Sequence, residues 1–140
     1  MTGGPPGAGW PGADGPLAAA PDRIALTGLR VHGCHGVLPA ERALGQEFIV
    51  DAVLWVDTRP AARTDDLTAT VDYGTLARTL AGIVAGEPVD LIETLAHRLV
   101  TACLADHRVA RVQVTVHKPA APIPLPFTDV AVTVTRDQPA

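Results

Sequence analysis

The chain contains no serine, which excludes nucleophilic chemistry of the serine-hydrolase kind outright. It has only two cysteines, Cys34 and Cys103, too few for a disulfide framework. Cys103 stands among apolar residues and reads as a small core side chain. No run of 18 apolar residues exists, so no membrane span is expected. No basic residue precedes Arg23, and no apolar stretch there has signal-peptide length, so a cytoplasmic address is expected. A Gly-rich phosphate loop is also missing. Positive charge is scarce: 11 Lys and Arg stand against 15 Asp and Glu, a net charge of −4. That argues against a non-specific nucleic-acid binder, which carries a basic stripe, but leaves room for one local anion site.

What is present is an ordinary core-forming composition, 47% hydrophobic and 19% charged, at a one-domain length of 140 residues. Residues 1–22 differ from the rest: Gly, Pro and Ala fill 16 of the 22 positions. Such a segment buries too little apolar area to offset its ordering entropy, so a disordered tail is expected there and a folded domain over 23–137. Trp10 is then either an idle tail residue or a contact for a partner.

Ile24 and Leu26 alternate, then Leu29 and Val31 alternate on the opposite parity, which predicts a first strand with a β-bulge at Gly28. The stretch His32-Gly33-Cys34-His35-Gly36 ends it in a turn, and a short connection through Glu41 follows. Gln46–Asp57 is a second strand, apolar on one face through Phe48, Val50, Ala52, Leu54 and Val56. Its other face carries Ile49, Val53 and Trp55, so cover on both sides is expected. Helical periodicity runs over 74–85 and again over 90–107. Val109–Lys118 reads as a third strand, Pro119–Pro126 as an extended proline-rich link, and Thr128–Thr135 as a fourth strand. The order is β-β-α-α-β-β, an α+β fold with two helices on one face of a small antiparallel sheet. Open edges and a second apolar face are unsafe in a monomer. Closing several such sheets into an oligomeric β-barrel removes both problems.

Four residues stand out chemically. Glu41, in the connection between strands, is a solvated carboxylate or a proton-transfer or ligand-positioning group. Tyr73, the only tyrosine, is an interface aromatic or a phenolic acid or base. Glu93 fits a capping box with Asp90 as N-cap, yet a first-turn carboxylate also suits a ligand edge with two adjacent N–H donors. Lys118 shares the parity of Val112, Val114 and Val116, so it points to their apolar side. It either snorkels out at the strand end or has a depressed pKa and a task. His32 and His35 form a His-x-x-His turn, but no third ligand is evident, so no metal is expected.

Taken together, these positions resemble one family. From about Arg23 to Arg136 the chain is similar to bacterial dihydroneopterin aldolases: Gly28-Leu29-Arg30-Val31-His32-Gly33-Cys34-His35-Gly36-Val37, Glu41, Gly45-Gln46, Arg63-Thr64-Asp65-Asp66-Leu67, Asp72-Tyr73, Leu91-Ile92-Glu93-Thr94 and His117-Lys118-Pro119-Ala120-Ala121-Pro122-Ile123-Pro124 occur in order. The last stretch is the most specific. The resemblance implies the tunnelling fold, with homo-oligomers of tetramer rings stacking into octamers and sites between subunits. It implies retro-aldol cleavage of 7,8-dihydroneopterin without a cofactor. It further implies that Glu93 anchors the pterin edge, with backbone near Val71, Asp72 and Ile92 in the same pocket. Tyr73 then reaches in from a neighbouring subunit as a proton donor or acceptor. Lys118 orients a water and tunes proton transfer, and Glu41 lies near the hydroxylated side chain. Two rivals remain: a sister epimerase on the same fold, and a non-catalytic pterin-binding protein. The proline run after Lys118 favours the aldolase.

Overall fold

Alternation of Ile24 with Leu26 and of Leu29 with Val31 builds the first strand, β1 (Asp22–Gly33). Its pairing with β2 (Gln46–Val56) slips between Leu26 and Leu29, and Gly28 sits at φ +76, where a Cβ is penalised. The bulge turns the Gly28 N–H to Asp51 Oδ1 of β2, at 2.7 Å. It therefore keeps the apolar residues of both halves of β1 on one face despite the parity switch. The computed structural model describes residues 20–139, so the expected tail lies outside the described residues as far as residue 19. Ala20 is buried.

β3 (Arg111–His117) and β4 (Ala131–Asp137) complete an antiparallel sheet in the order β1-β2-β3-β4, with β1 and β4 as edges. Phe48, Val50, Ala52, Leu54 and Val56 of β2 join Val112, Val114 and Val116 of β3 on the core face. Helices α3 (Tyr73–Ala85) and α4 (Ile92–Leu104) cover that face with Leu80, Val84, Leu95 and Leu99. Each large side chain so buried contributes about 1.5–3 kcal/mol. Burial pushes the Cys103 thiol up to about 11, in keeping with a packing role. The ββααββ order and the α+β class expected from the sequence are present. The opposite sheet face is mixed: Trp55 is half-buried there, with the Arg23 and Arg111 guanidiniums 6.0 and 5.9 Å from its ring centroid.

Three short elements escape the sequence pattern: α1 (Pro39–Leu44), α2 (Arg59–Thr64) and a 3₁₀ turn at Leu67–Ala69. One or two turns are too short to display an apolar period. Several boundaries also move. α4 ends at Leu104, short of His107, where Val109 N–H donates to Asp106 O at 3.0 Å in a turn. β3 begins at Arg111 and β4 at Ala131, because Thr128–Val130 still belongs to the link.

The helices are antiparallel in sequence direction, which sorts the chain into two ends. The C-terminal turn of α3, the segment leading into α4 and the end of β1 meet at one end through contacts of Val84 and Val89 with His35, and Lys118 after β3 joins that end through Glu41. At the other end an open cleft of about 1030 Å³ is lined by Leu67, Val71, Asp72, Leu76, Cys103 and Arg108, among others.

Candidate active site

Glu41 does not lie in an irregular loop, as the sequence suggested. Pro39 starts α1, where its missing N–H costs nothing. Glu41 therefore falls in the first turn and folds back, so that its Oε1 accepts the Leu38 N–H at 3.2 Å. Its Oε2 accepts from Gln46 Nε2 at 3.3 Å and lies 2.6 Å from Lys118 Nζ. The residue is only 7% exposed. Burial pushes its carboxyl up, but the Lys118 ammonium, the Leu38 N–H and the Gln46 amide together outweigh that and hold it below the usual range.

Lys118 is the only lysine in the chain. The alternation of β3 carries it to the core side, and its side chain is largely buried against Glu41. Its amine turns inward to Glu41 instead of reaching out to solvent at the strand end. Its backbone N–H donates to Val130 O at 2.7 Å, which ties both ends of the proline-rich link.

The packing around Glu41 explains a glycine. Gly36 has φ +150, and a Cβ there would lie 2.3 Å from Glu41 Cδ. Gly36→Ala is therefore expected to displace Glu41 from Lys118 and to cost about 1–3 kcal/mol from backbone strain alone. A urea melt would show the loss, and a melt unchanged from wild type would contradict this packing.

His35 is fully buried and fastens this end of the fold. Its Nε2 lies 2.6 Å from Val84 O, and its Nδ1 accepts the Val89 N–H at 3.1 Å. Only the neutral Nε2–H tautomer satisfies both. Burial pushes its pKa below 6.5. Below pH 6.5 the unfolded chain then takes up a proton that native His35 refuses, so stability falls as pH drops from 6.5 toward the lowered native value. His35→Phe is expected to cost about 2–5 kcal/mol through two orphaned backbone groups and to flatten that acid slope in urea melts. His32 Nε2 lies 3.1 Å from Leu44 O, so both imidazoles of the His-x-x-His turn bond to backbone.

The capping box expected around Glu93 is not formed. Leu91 occupies the N-cap without a side-chain hydrogen bond, and Ile92 and Glu93 are the first two helical residues of α4. Asp90 is drawn away to an ion pair with Arg42 of α1, and Gly36 N–H donates to Val89 O at 2.9 Å. These ties hold the start of α4 beside the Gly36–Glu41 segment. Ile92 is buried, and Glu93 is exposed in the first turn, where the helix dipole favours a carboxylate.

Val71, Asp72 and Tyr73 stand apart. Val71 is buried, and Asp72 caps α3, its Oδ1 accepting the Thr75 N–H at 3.1 Å. Tyr73 opens α3 and is 61% exposed. Val84, beside His35, lies 11 residues further along the same helix, about 16 Å at 1.5 Å per residue. Within one chain, then, Glu41 and Lys118 are in contact, Ile92 and Glu93 share their end, and Val71, Asp72 and Tyr73 occupy the other.

Gln46, which the sequence marks only as the start of a strand, joins the candidate site through Glu41. Its amide nitrogen serves Glu41, while its Oε1 is buried and has no hydrogen-bond partner among the described residues. Nothing local distinguishes it from any glutamine opening a strand. Its signal is spatial, an acceptor left open beside a buried ion pair.

The four-stranded antiparallel sheet and its two covering helices define a class of small α+β proteins already represented by solved structures. Dihydroneopterin aldolase from E. coli, in complex with neopterin, superposes with a TM-score of 0.76 at 27% identity, covering 82% of this chain and 98% of that one. The Burkholderia enzyme of the same name, bound to guanine, gives 0.72 at 28% identity over 91% and 99%. A family model described as dihydroneopterin aldolase matches residues 24–135. The dihydroneopterin aldolase of Streptomyces coelicolor is 55% identical over 117 residues, 84% of this chain and 98% of its own. The chain belongs to the dihydroneopterin aldolase family.

Proposed function

We propose that the protein cleaves 7,8-dihydroneopterin by a retro-aldol reaction to 6-hydroxymethyl-7,8-dihydropterin and glycolaldehyde, as a step of folate biosynthesis. The buried Glu41–Lys118 pair carries this reading, beside an open acceptor on Gln46 and a first-turn carboxylate on Glu93. The reaction removes the proton of the side-chain 2′-hydroxyl, breaks the C1′–C2′ bond and returns a proton to C1′. The carbanion needs an electron sink, which the conjugated imine of the dihydropterin ring supplies. The protein then has to orient the ring and move protons. In this reading Glu93 accepts the 2-amino and N3–H donors, with backbone near Ile92, Asp72 and Val71 along the pocket. Lys118 and Glu41 face the hydroxylated side chain, and Tyr73 exchanges a proton there.

The roughly 16 Å that separates Tyr73 from the Lys118 end supports a site shared between subunits. So do the two open sheet edges, which an oligomeric barrel of tetramer rings, stacked as an octamer, closes. Mixing Lys118→Ala with Tyr73→Ala subunits, each inactive alone, is expected to restore about a quarter of wild-type activity, since one in four random neighbour pairs rebuilds an intact site. Mixtures that stay inactive contradict the shared site.

The mechanism requires neither metal nor Schiff base. Because Lys118 is the sole lysine, borohydride trapping has one side chain to report on. Anaerobic incubation with 7,8-dihydroneopterin and chelator is expected to give both products, with no reduced adduct at Lys118. Isomerised substrate without glycolaldehyde would favour an epimerase, and no turnover would sink the reading. Some epimerised substrate alongside both products is expected, because re-addition of glycolaldehyde to the same intermediate inverts a centre.

A further inference from the structure

His117 precedes Lys118 and, by strand alternation, projects from the opposite sheet face. Its Nε2 lies 2.7 Å from Asp51 Oδ2 of β2, and its Nδ1 lies 2.7 Å from Asp129 Oδ2 at the far end of the proline-rich link. Asp51 also accepts the N–H of Gly28 in the β1 bulge. A neutral imidazole has one N–H, so both carboxylates are satisfied only by the imidazolium. The hydrogen bonds to Asp129 and Asp51 accordingly raise the His117 pKa above 6.5. One cation thus joins the bulge of β1, the centre of β2, the end of β3 and the return of the link.

We propose that His117, held between Asp51 and Asp129, is a positioning residue that fixes the link from Lys118 to Val130 and so keeps the Lys118 amine against Glu41. The inference rests on the proposed role of Lys118. The link leaves β3 at Lys118 and returns at Val130, where Lys118 N–H is bonded. Asp129 is the adjacent residue, so the imidazolium clamps the return beside the catalytic lysine. The register row through His117 runs Arg30, Ile49, His117, Ala131, and Arg30 is itself paired to Glu47 at 3.2 Å. The carboxylates facing the ring are therefore Asp51 from β2 and Asp129 from the link, and the nearby β1 cation is occupied. Thr115 and Thr133 supply only hydroxyls on that face.

When the imidazolium loses its proton, one carboxylate faces a lone pair. Asp51 keeps its Gly28 N–H and its place in a central strand, so Asp129 and the link are released. Because the native pKa is raised, the stabilisation is fully present below pH 6.5 and is lost as pH rises through the native value. This is the opposite sign to His35.

The test is a double-mutant cycle of His117→Gln and Asp129→Asn, with kcat measured on 7,8-dihydroneopterin and Kd on neopterin. A misplacement near 1 Å costs roughly a hundredfold in rate, so a partial loosening is expected to lower kcat by about tenfold in each single variant. Neopterin affinity is expected to stay within about threefold, and the double variant to be no slower than the singles. In wild-type protein the His117 ring nitrogens, followed by NMR, should titrate above 6.5, and kcat should fall over the same range. Folded variants with unchanged kcat, or a His117 titration below 6.5, overturn the inference. Wild-type protein that binds neopterin and cleaves nothing overturns the reading of Lys118 instead.

Discussion

Lys118→Ala is expected to bind neopterin within about threefold of wild type while turning over dihydroneopterin about 10²–10⁴-fold more slowly, the usual worth of a positioned proton-transfer group. Lys118 and Glu41 face each other at 2.6 Å and are nearly removed from solvent. Deleting one partner of such a pair costs about 3–5 kcal/mol, because a buried charge is left uncompensated. Glu41 relieves that cost by taking a proton, since the ammonium is a principal reason its carboxyl sits low. The variant should therefore be less stable as well as slow, and stability alone would not show a catalytic role. Lys118→Met combined with Glu41→Gln separates the two effects. That double variant removes both charges, keeps the volume and should regain most of the lost stability, yet remain inactive. Turnover within threefold of wild type in either variant would show that Lys118 takes no part in the chemistry.

The fold was legible wherever period and burial coincide. Phe48, Val50, Ala52, Leu54 and Val56 share one parity and are buried on a central strand, and the parity switch at Gly28 marked a bulge that the register confirms. Lys118 was legible for the same reason, since three valines on its parity fix the side it faces. Sequence pattern is silent where a distant partner decides. Asp90 has the composition of an N-cap, but Arg42 of α1 takes its carboxylate, and Leu91 caps α4 by default. Glu41 looked like a loop residue because α1 is six residues long and shows no stripe. The bridge from Asp51 through His117 to Asp129 joins three segments that no spacing rule connects. Gln46 is marked only by the missing partner of one atom. Resemblance supplied the grouping of Glu41, Tyr73, Glu93 and Lys118, and the fold brings Glu41 and Lys118 together while leaving Tyr73 at the other end.

Glu93→Ala is expected to abolish detectable neopterin binding and to leave the melting behaviour close to wild type. The two halves of this expectation have separate causes. Glu93 is exposed, its helix is capped at Leu91 without it, and no hydrogen bond or ion pair joins its side chain to another described residue. Its removal therefore forfeits only the favourable placement of a carboxylate at a helix N-terminus, about 0.3–1 kcal/mol. Binding is different. A carboxylate that accepts two parallel N–H donors gains two charge-assisted hydrogen bonds, each worth about 1.5–3 kcal/mol. Their joint loss weakens binding by a factor of roughly 10²–10⁴. Glu93→Gln is the sharper control, because its amide keeps one acceptor and replaces the other by a donor that opposes a pterin N–H. It should bind as poorly as alanine. If both variants bound neopterin normally, Glu93 would be a dipole-complementing surface residue and the pterin anchor would have to lie elsewhere. If they bound poorly but also melted early, the start of α4 would depend on Glu93 in a way its exposed position does not suggest. Normal melting with lost binding is the outcome that separates recognition at Glu93 from proton transfer at Lys118, and it requires both variants to be measured on the same two axes.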